Sequence, residues 1–89
     1  MQQQPDHKTF RAARLRLGLS IRQFAEVLGL GRSTIEVYEL GRRKDDGRPV
    51  EIPRQTWLAV AALLAGLDGI DADGQLVRRS PDERGKGEA

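Results

Sequence analysis

The side chains whose types and spacing could do chemistry are Arg32, Ser33 and Thr34, then Val37 one turn on, then Arg42, Arg43, Lys44 and Arg48. Their chemistry is hydrogen bonding and charge neutralisation, with no bond making. A guanidinium can bond two acceptors of one guanine, a hydroxyl can bond a base edge or a phosphate, and a valine can touch a thymine methyl. The cations after Gly41 suit a sugar-phosphate strand, where they supply affinity and salt dependence but no sequence preference. The same polarity also suits a helical first turn that is simply exposed to water.

Catalysis finds little to work with. His7 is the only histidine, cysteine is absent, and the sequence shows no metal-ligand spacing. Gly29-Leu30-Gly31 lacks the context of a dinucleotide or phosphate loop. Asp71, Asp73 and Gly74 lack the ligand spacing and distal glutamate of a calcium loop and read as turn residues. The expectation is therefore no enzyme activity, no cofactor and no metal.

Bulk properties agree with a small binding protein. The 89 residues allow one domain with a modest core, which dimerisation would naturally supplement. Without cysteine there is no disulfide framework, and a reducing cytosol is the plain expectation. The longest apolar run, Trp57 to Ala65, is about half of what a membrane span needs, and the first residues have neither part of a signal peptide. A soluble, cytoplasmic, nucleoid-associated protein that avoids membranes is expected. From Lys8 to Arg54 there are 11 basic residues against 6 acidic ones, whereas residues 55 to 89 hold 4 basic and 6 acidic. The positive field thus coincides with the candidate residues, as on a polyanion-binding face.

Short helices must position these residues. Thr9 is an N-cap candidate for a helix from Phe10 to Leu17, with Phe10, Ala13, Arg14 and Leu17 on one face and Gly18 as its stop. Ser20 caps a second helix, Ile21 to Leu28, whose inward stripe is Phe24, Ala25 and Leu28. Gly29, Leu30 and Gly31 make a tight turn, either glycine being able to take the positive φ that ends a helix. A third helix from Arg32 or Ser33 to Leu40 puts Ile35, Tyr38 and Glu39 inward and ends at Gly41. Pro53 suits the first turn of a fourth helix reaching Ala65, with Trp57, Val60, Ala61 and Leu64 inward. Arg14 and Glu39 are the odd charged members of inward stripes.

The run from Phe10 to Gly41 resembles the helix-turn-helix domain of lambda-repressor-like (Cro and XRE class) transcription regulators. Leu19-Ser20, Phe24-Ala25, Leu28-Gly29, Ile35, Glu39 and Gly41 stand in register with the pattern LSQ-x-x-LA-x-x-LG-x-S-x-x-x-I-x-x-x-E-x-G. The resemblance implies an all-α, compact four- to five-helix fold in which Arg14 and Glu39 form a buried structural ion pair. It implies double-stranded DNA as partner, with Arg32, Ser33, Thr34 and Val37 as base contacts from a helix in the major groove. Phosphate contacts fall on Ser20 and on the basic run Arg42, Arg43, Lys44 and Arg48. Ile21 replaces a frequent family glutamine, which passes that role to Arg22 or Gln23.

The layout expected from these readings is a disordered arm over 1–7, a DNA-binding domain over 8–67, a dimerisation extension over 68–77 and a disordered tail over 78–89. Leu58 and Ala62 lie on a second apolar face of the fourth helix, and Leu67 and Ile70 follow. Such a surplus predicts a homodimer interface, and a two-fold dimer predicts an inverted-repeat operator. The rival is that the surplus receives the long loop through Val50 and Ile52. A regulator of this kind leaves room for a protein partner such as RNA polymerase, and by analogy it would control a mobile element, prophage or restriction system. The alternative function is an antitoxin-like or anti-activator interaction module that uses the apolar fourth-helix face.

Overall fold

The computed structural model describes residues 5–79. The chain forms α1 (His7–Leu17), α2 (Ile21–Leu28), α3 (Arg32–Leu40) and α4 (Arg54–Leu64), then a hairpin of β1 (Leu67–Ile70) and β2 (Leu76–Arg78). The four expected helices are present, and a strand pair stands in the stretch where either a short strand or a fifth helix is allowed by the sequence.

Each helix boundary has a local cause. Ser20 and Gln23 form a reciprocal capping box at α2: Ser20 Oγ accepts from Gln23 N at 3.1 Å and Gln23 Oε1 accepts from Ser20 N at 2.9 Å. Gly29 closes α2 in the left-handed region (φ 70°), while Gly31 is the extended N-cap of α3, so only the first of the two glycines needs positive φ. At α1 the structure corrects the expected start. Asp6 is the N-cap, its carboxylate accepting from the backbone N–H of Lys8 and Thr9, and Thr9 sits three residues in, its hydroxyl oxygen accepting in return from Asp6 N–H. The Thr9 N–H bond holds the Asp6 carboxyl below its ordinary pKa. α1 therefore takes in His7, which had been assigned to the arm; residues 1–4 of that stretch and 80–89 of the tail lie outside the described residues.

The core is centred on Phe10. Its ring meets Phe24 of α2 at 5.1 Å, Tyr38 of α3 at 5.6 Å and Trp57 of α4 at 5.8 Å, the last two edge-on. One side chain of α1 thus touches all three other helices. Ala13, Leu17, Ala25, Ile35, Val60 and Leu63 complete the buried set. The small Ala25, itself buried, lets α3 approach α2 closely.

α4 is rotated from its expected phase. Thr56, Val60 and Leu63 are the buried stripe, with Trp57 packed beside it, whereas Ala61 is exposed and Leu64 is 44% exposed. The helix is apolar at every position from Trp57 to Leu64, so spacing alone leaves its rotation open, and contact with α1 decides it. After Ala65 the chain turns into the antiparallel hairpin, pairing Leu67 with Arg78, Gly69 with Val77 and Ile70 with Leu76. Asp71 closes its turn, Oδ1 accepting from the N–H of both Asp73 and Gln75 at 2.9 Å.

Candidate nucleic-acid interface

α3 is held to the scaffold by an ion pair beneath its exposed side. Arg14 Nε and Nη2 donate to the two carboxylate oxygens of Glu39, at 2.5 and 3.1 Å, and Nη1 donates to the Leu19 carbonyl at 3.0 Å. The side chains are 11% and 10% exposed. One guanidinium therefore links α1, the α1–α2 turn and α3 in fixed geometry. A second contact steadies the far end of α3. Gly41 caps it at φ 83°, and the His7 ring lies where a Cβ on Gly41 would sit, 2.8 Å from Cγ and Nδ1.

The opposite side of α3 faces water. Arg32 and Ser33 are exposed, and Thr34 and Val37 are half-buried. A shallow groove lined by Ser33, Thr34, Val37, Arg43, Lys44, Asp45 and Val50 brings three of the expected base readers beside two of the expected phosphate contacts. Arg32 stands at the start of the same helix, its side chain 68% exposed.

The loop after α3 folds back on itself. Arg43 N–H donates to the Arg48 carbonyl at 2.8 Å, Gly47 N–H to the Arg43 carbonyl at 3.1 Å, and Val50 N–H to the Gly41 carbonyl at 3.1 Å, with an isolated antiparallel bridge between Arg42 and Pro49. Asp46 Oδ1 accepts from Arg48 N–H at 3.0 Å. This compact loop presents Arg43 and Lys44 on the α3 side, yet several of its cations are engaged by neighbouring acids. Arg43 lies 3.3 Å from Asp45 and 3.5 Å from Asp46, and Arg48 lies 3.7 Å from Asp46. The hydrogen bond from Arg43 lowers the Asp45 pKa. Asp45 and Asp46 are thus the internal partners of the loop's arginines.

Glu36 went unnoticed in the sequence. Its Oε1 accepts from Lys44 Nζ at 2.7 Å and its Oε2 lies 3.7 Å from Arg32 Nε. The Lys44 hydrogen bond holds its carboxyl below the ordinary glutamate pKa. The i,i+4 spacing from Arg32 was a usable helix signal for that pair; the Lys44 contact depends on the loop and has no sequence counterpart.

The remaining candidates are spread around this face. Ser20 and Gln23 are exposed but their side chains serve the α2 capping box, while Arg22 and Arg42 are exposed and join no ion pair among the described residues. Toward the other end of the chain, Leu58 and Ile70 are 56% and 68% exposed, and Ala62 and Leu67 are half-buried. Leu64, Leu76 and Val77 add exposed apolar surface to the same C-terminal elements. Among the described residues no group of histidines or acids could hold a metal ion, and no helix is long and apolar enough to cross a membrane.

Residues 10–45 match a family model described as helix-turn-helix. No curated protein and no solved structure matches the chain. The matched stretch covers α1 from Phe10, all of α2 and α3, and the loop as far as Asp45, so the groove beside α3 lies almost wholly within it. Over this segment the chain is similar to the helix-turn-helix of lambda-repressor-like, XRE-class regulators, which supports a DNA-binding role.

Proposed function

We propose that this helix-turn-helix protein is a sequence-specific regulator of transcription that binds an inverted repeat in double-stranded DNA as a homodimer. The observation that carries the reading is the grouping of Ser33, Thr34 and Val37 with Arg43 and Lys44 in one groove beside an exposed Arg32. Readers of base edges and neutralisers of phosphate are wanted side by side when a helix enters a major groove.

In this mechanism α3 goes in N-terminus first. Arg32 takes the two major-groove acceptors of a guanine, Ser33 and Thr34 bond base edges or phosphate, and Val37 meets a thymine methyl. Ser20, Arg22 and Gln23 at the start of α2 meet one strand of the backbone, and Arg42, Arg43, Lys44 and Arg48 meet the flanking phosphates. Arg14 and Glu39 touch no DNA and keep α3 at a fixed angle to α1. Leu58, Ala62, Leu67 and Ile70 form the seam between copies, which sets two α3 helices about 34 Å apart, or a multiple of that, on one side of the duplex.

Selection of bound duplexes from random sequence, with stoichiometry measured, tests the reading. A two-fold symmetric motif bound by two chains is expected, and Arg32→Ala should weaken that site by about 1–3 kcal/mol while relaxing one base pair. Equal loss on selected and scrambled DNA would make Arg32 a phosphate contact only. The exposed Leu58, Leu64, Ile70, Leu76 and Val77 favour a second reading, an interaction module for another protein. No enriched sequence, together with a tight protein partner, would establish it over the first.

A further inference from the structure

Four of the cations that α3 and its loop offer to DNA, Arg32, Arg43, Lys44 and Arg48, are already engaged by acids, and Glu36 is the acid that engages two of them. One carboxylate oxygen accepts from Lys44 Nζ at 2.7 Å and the other lies 3.7 Å from Arg32 Nε. Both cations are more than half exposed, so each pair can exchange its carboxylate for another anion. The bond from Lys44 lowers the Glu36 pKa from its ordinary value, in keeping with the short contact between the two groups.

We propose that Glu36 is a selectivity residue, which masks Arg32 and Lys44 from the phosphates of non-cognate DNA. The statement rests on α3 entering the groove as above. On a random duplex, Lys44 reaches phosphate only by leaving Glu36, and a bare carboxylate then faces a polyanion. That penalty is the same for every sequence. It is offset only where Arg32 gains both acceptors of a guanine and Glu36 can accept from an exocyclic amino group such as that of cytosine. Glu36 thereby lowers binding everywhere and restores it where the base pattern fits both members of the i,i+4 pair.

Glu36→Gln keeps the size and helix preference of the residue and removes its charge. Against a scrambled duplex, the variant should bind about two- to thirtyfold tighter, the range for losing two exposed ion pairs. Its salt slope should steepen by about 0.9 for each cation released to phosphate, and the ratio of selected-site to scrambled affinity should fall. A second comparison guards against effects on folding: Lys44→Gln should weaken scrambled-DNA binding less in the wild-type background, where Glu36 already engages Lys44, than in the Glu36→Gln background, where it should cancel most of the gain. Unchanged scrambled affinity and slope in Glu36→Gln would overturn the proposal. If Arg32→Ala still relaxes one base pair of the selected site in that event, α3 remains the reading helix and only the role of Glu36 falls. A wild-type protein without any sequence preference would sink both.

Discussion

Removing Glu39 tests what holds α3 in position. In the native fold the Arg14 guanidinium is 11% exposed and has three acceptor contacts, two to Glu39 and one to the Leu19 carbonyl. Glu39→Ala leaves the buried cation with the carbonyl alone. Arg11 cannot compensate: it is a second cation, 63% exposed and 3.9 Å from the same carboxylate. Stranding one member of a buried pair costs about 3–5 kcal/mol, against a total stability of roughly 5–15 kcal/mol for a domain. At roughly 4–8 °C per kcal/mol for a chain of this size, Tm should fall by about 12 to 40 °C. Thermal melts by circular dichroism, with urea midpoints at a fixed protein concentration, measure this directly. The double variant Arg14→Met with Glu39→Leu discards both charges at similar volume and should recover most of the loss. Near-wild-type melting of Glu39→Ala alone would refute the reasoning, because a stranded guanidinium at that depth has no inexpensive alternative partner.

Other elements give sharper single outcomes. Arg42→Ala should weaken binding to every duplex and flatten the salt slope by about 0.9; an unchanged slope in fluorescence titrations would take Arg42 off the backbone. Leu58→Glu and Ile70→Glu should each convert dimers to monomers in sedimentation, and a dimer that survives both would place the seam elsewhere. Gly41→Ala should destabilise the fold by more than the roughly 1–2 kcal/mol of a left-handed alanine, because its Cβ would meet the His7 ring at 2.8 Å. Adding His7→Ala should return the excess, and failure to do so in thermal melts would mean the ring simply swings aside.

The parts of the fold that were legible in the sequence are those whose ends carry their own chemistry. α2 and α3 run between Ser20, Gly29, Gly31 and Gly41, residues that cap or end helices by themselves. α1 was read three residues short because Asp6 and Thr9 are both capping residues, and a box with threonine at its third position looks like an N-cap at Thr9. The rotation of α4 was hidden for a different reason. An unbroken apolar run has no period, and only contact with Phe10 and its neighbours selects Thr56, Val60 and Leu63. At the candidate interface, residue types were legible but their pairings were not. Glu36 takes Lys44 from the loop eight residues on, a contact that no helical spacing announces, whereas Asp45 and Asp46 meet Arg43 and Arg48 only two or three residues away, in a turn whose geometry the residue types alone leave open.

Two glutamates three residues apart on α3 show how burial assigns different work to the same chemistry. Glu39 and Glu36 each take a short bond from a cation on another segment, Arg14 and Lys44 respectively. Around Glu39 both side chains are about one-tenth exposed, so neither water nor salt can replace a lost partner and the pair behaves as part of the core. Around Glu36 the side chains are 30% exposed for the acid and 58% for Lys44, so solvent can take over either end at little cost to the fold. Exchange of Lys44, Arg43 or Arg48 from carboxylate to phosphate can therefore proceed without disturbing the angle that Arg14 and Glu39 impose. A reading helix needs both conditions at once: an orientation that DNA cannot alter, and surface cations that DNA can take.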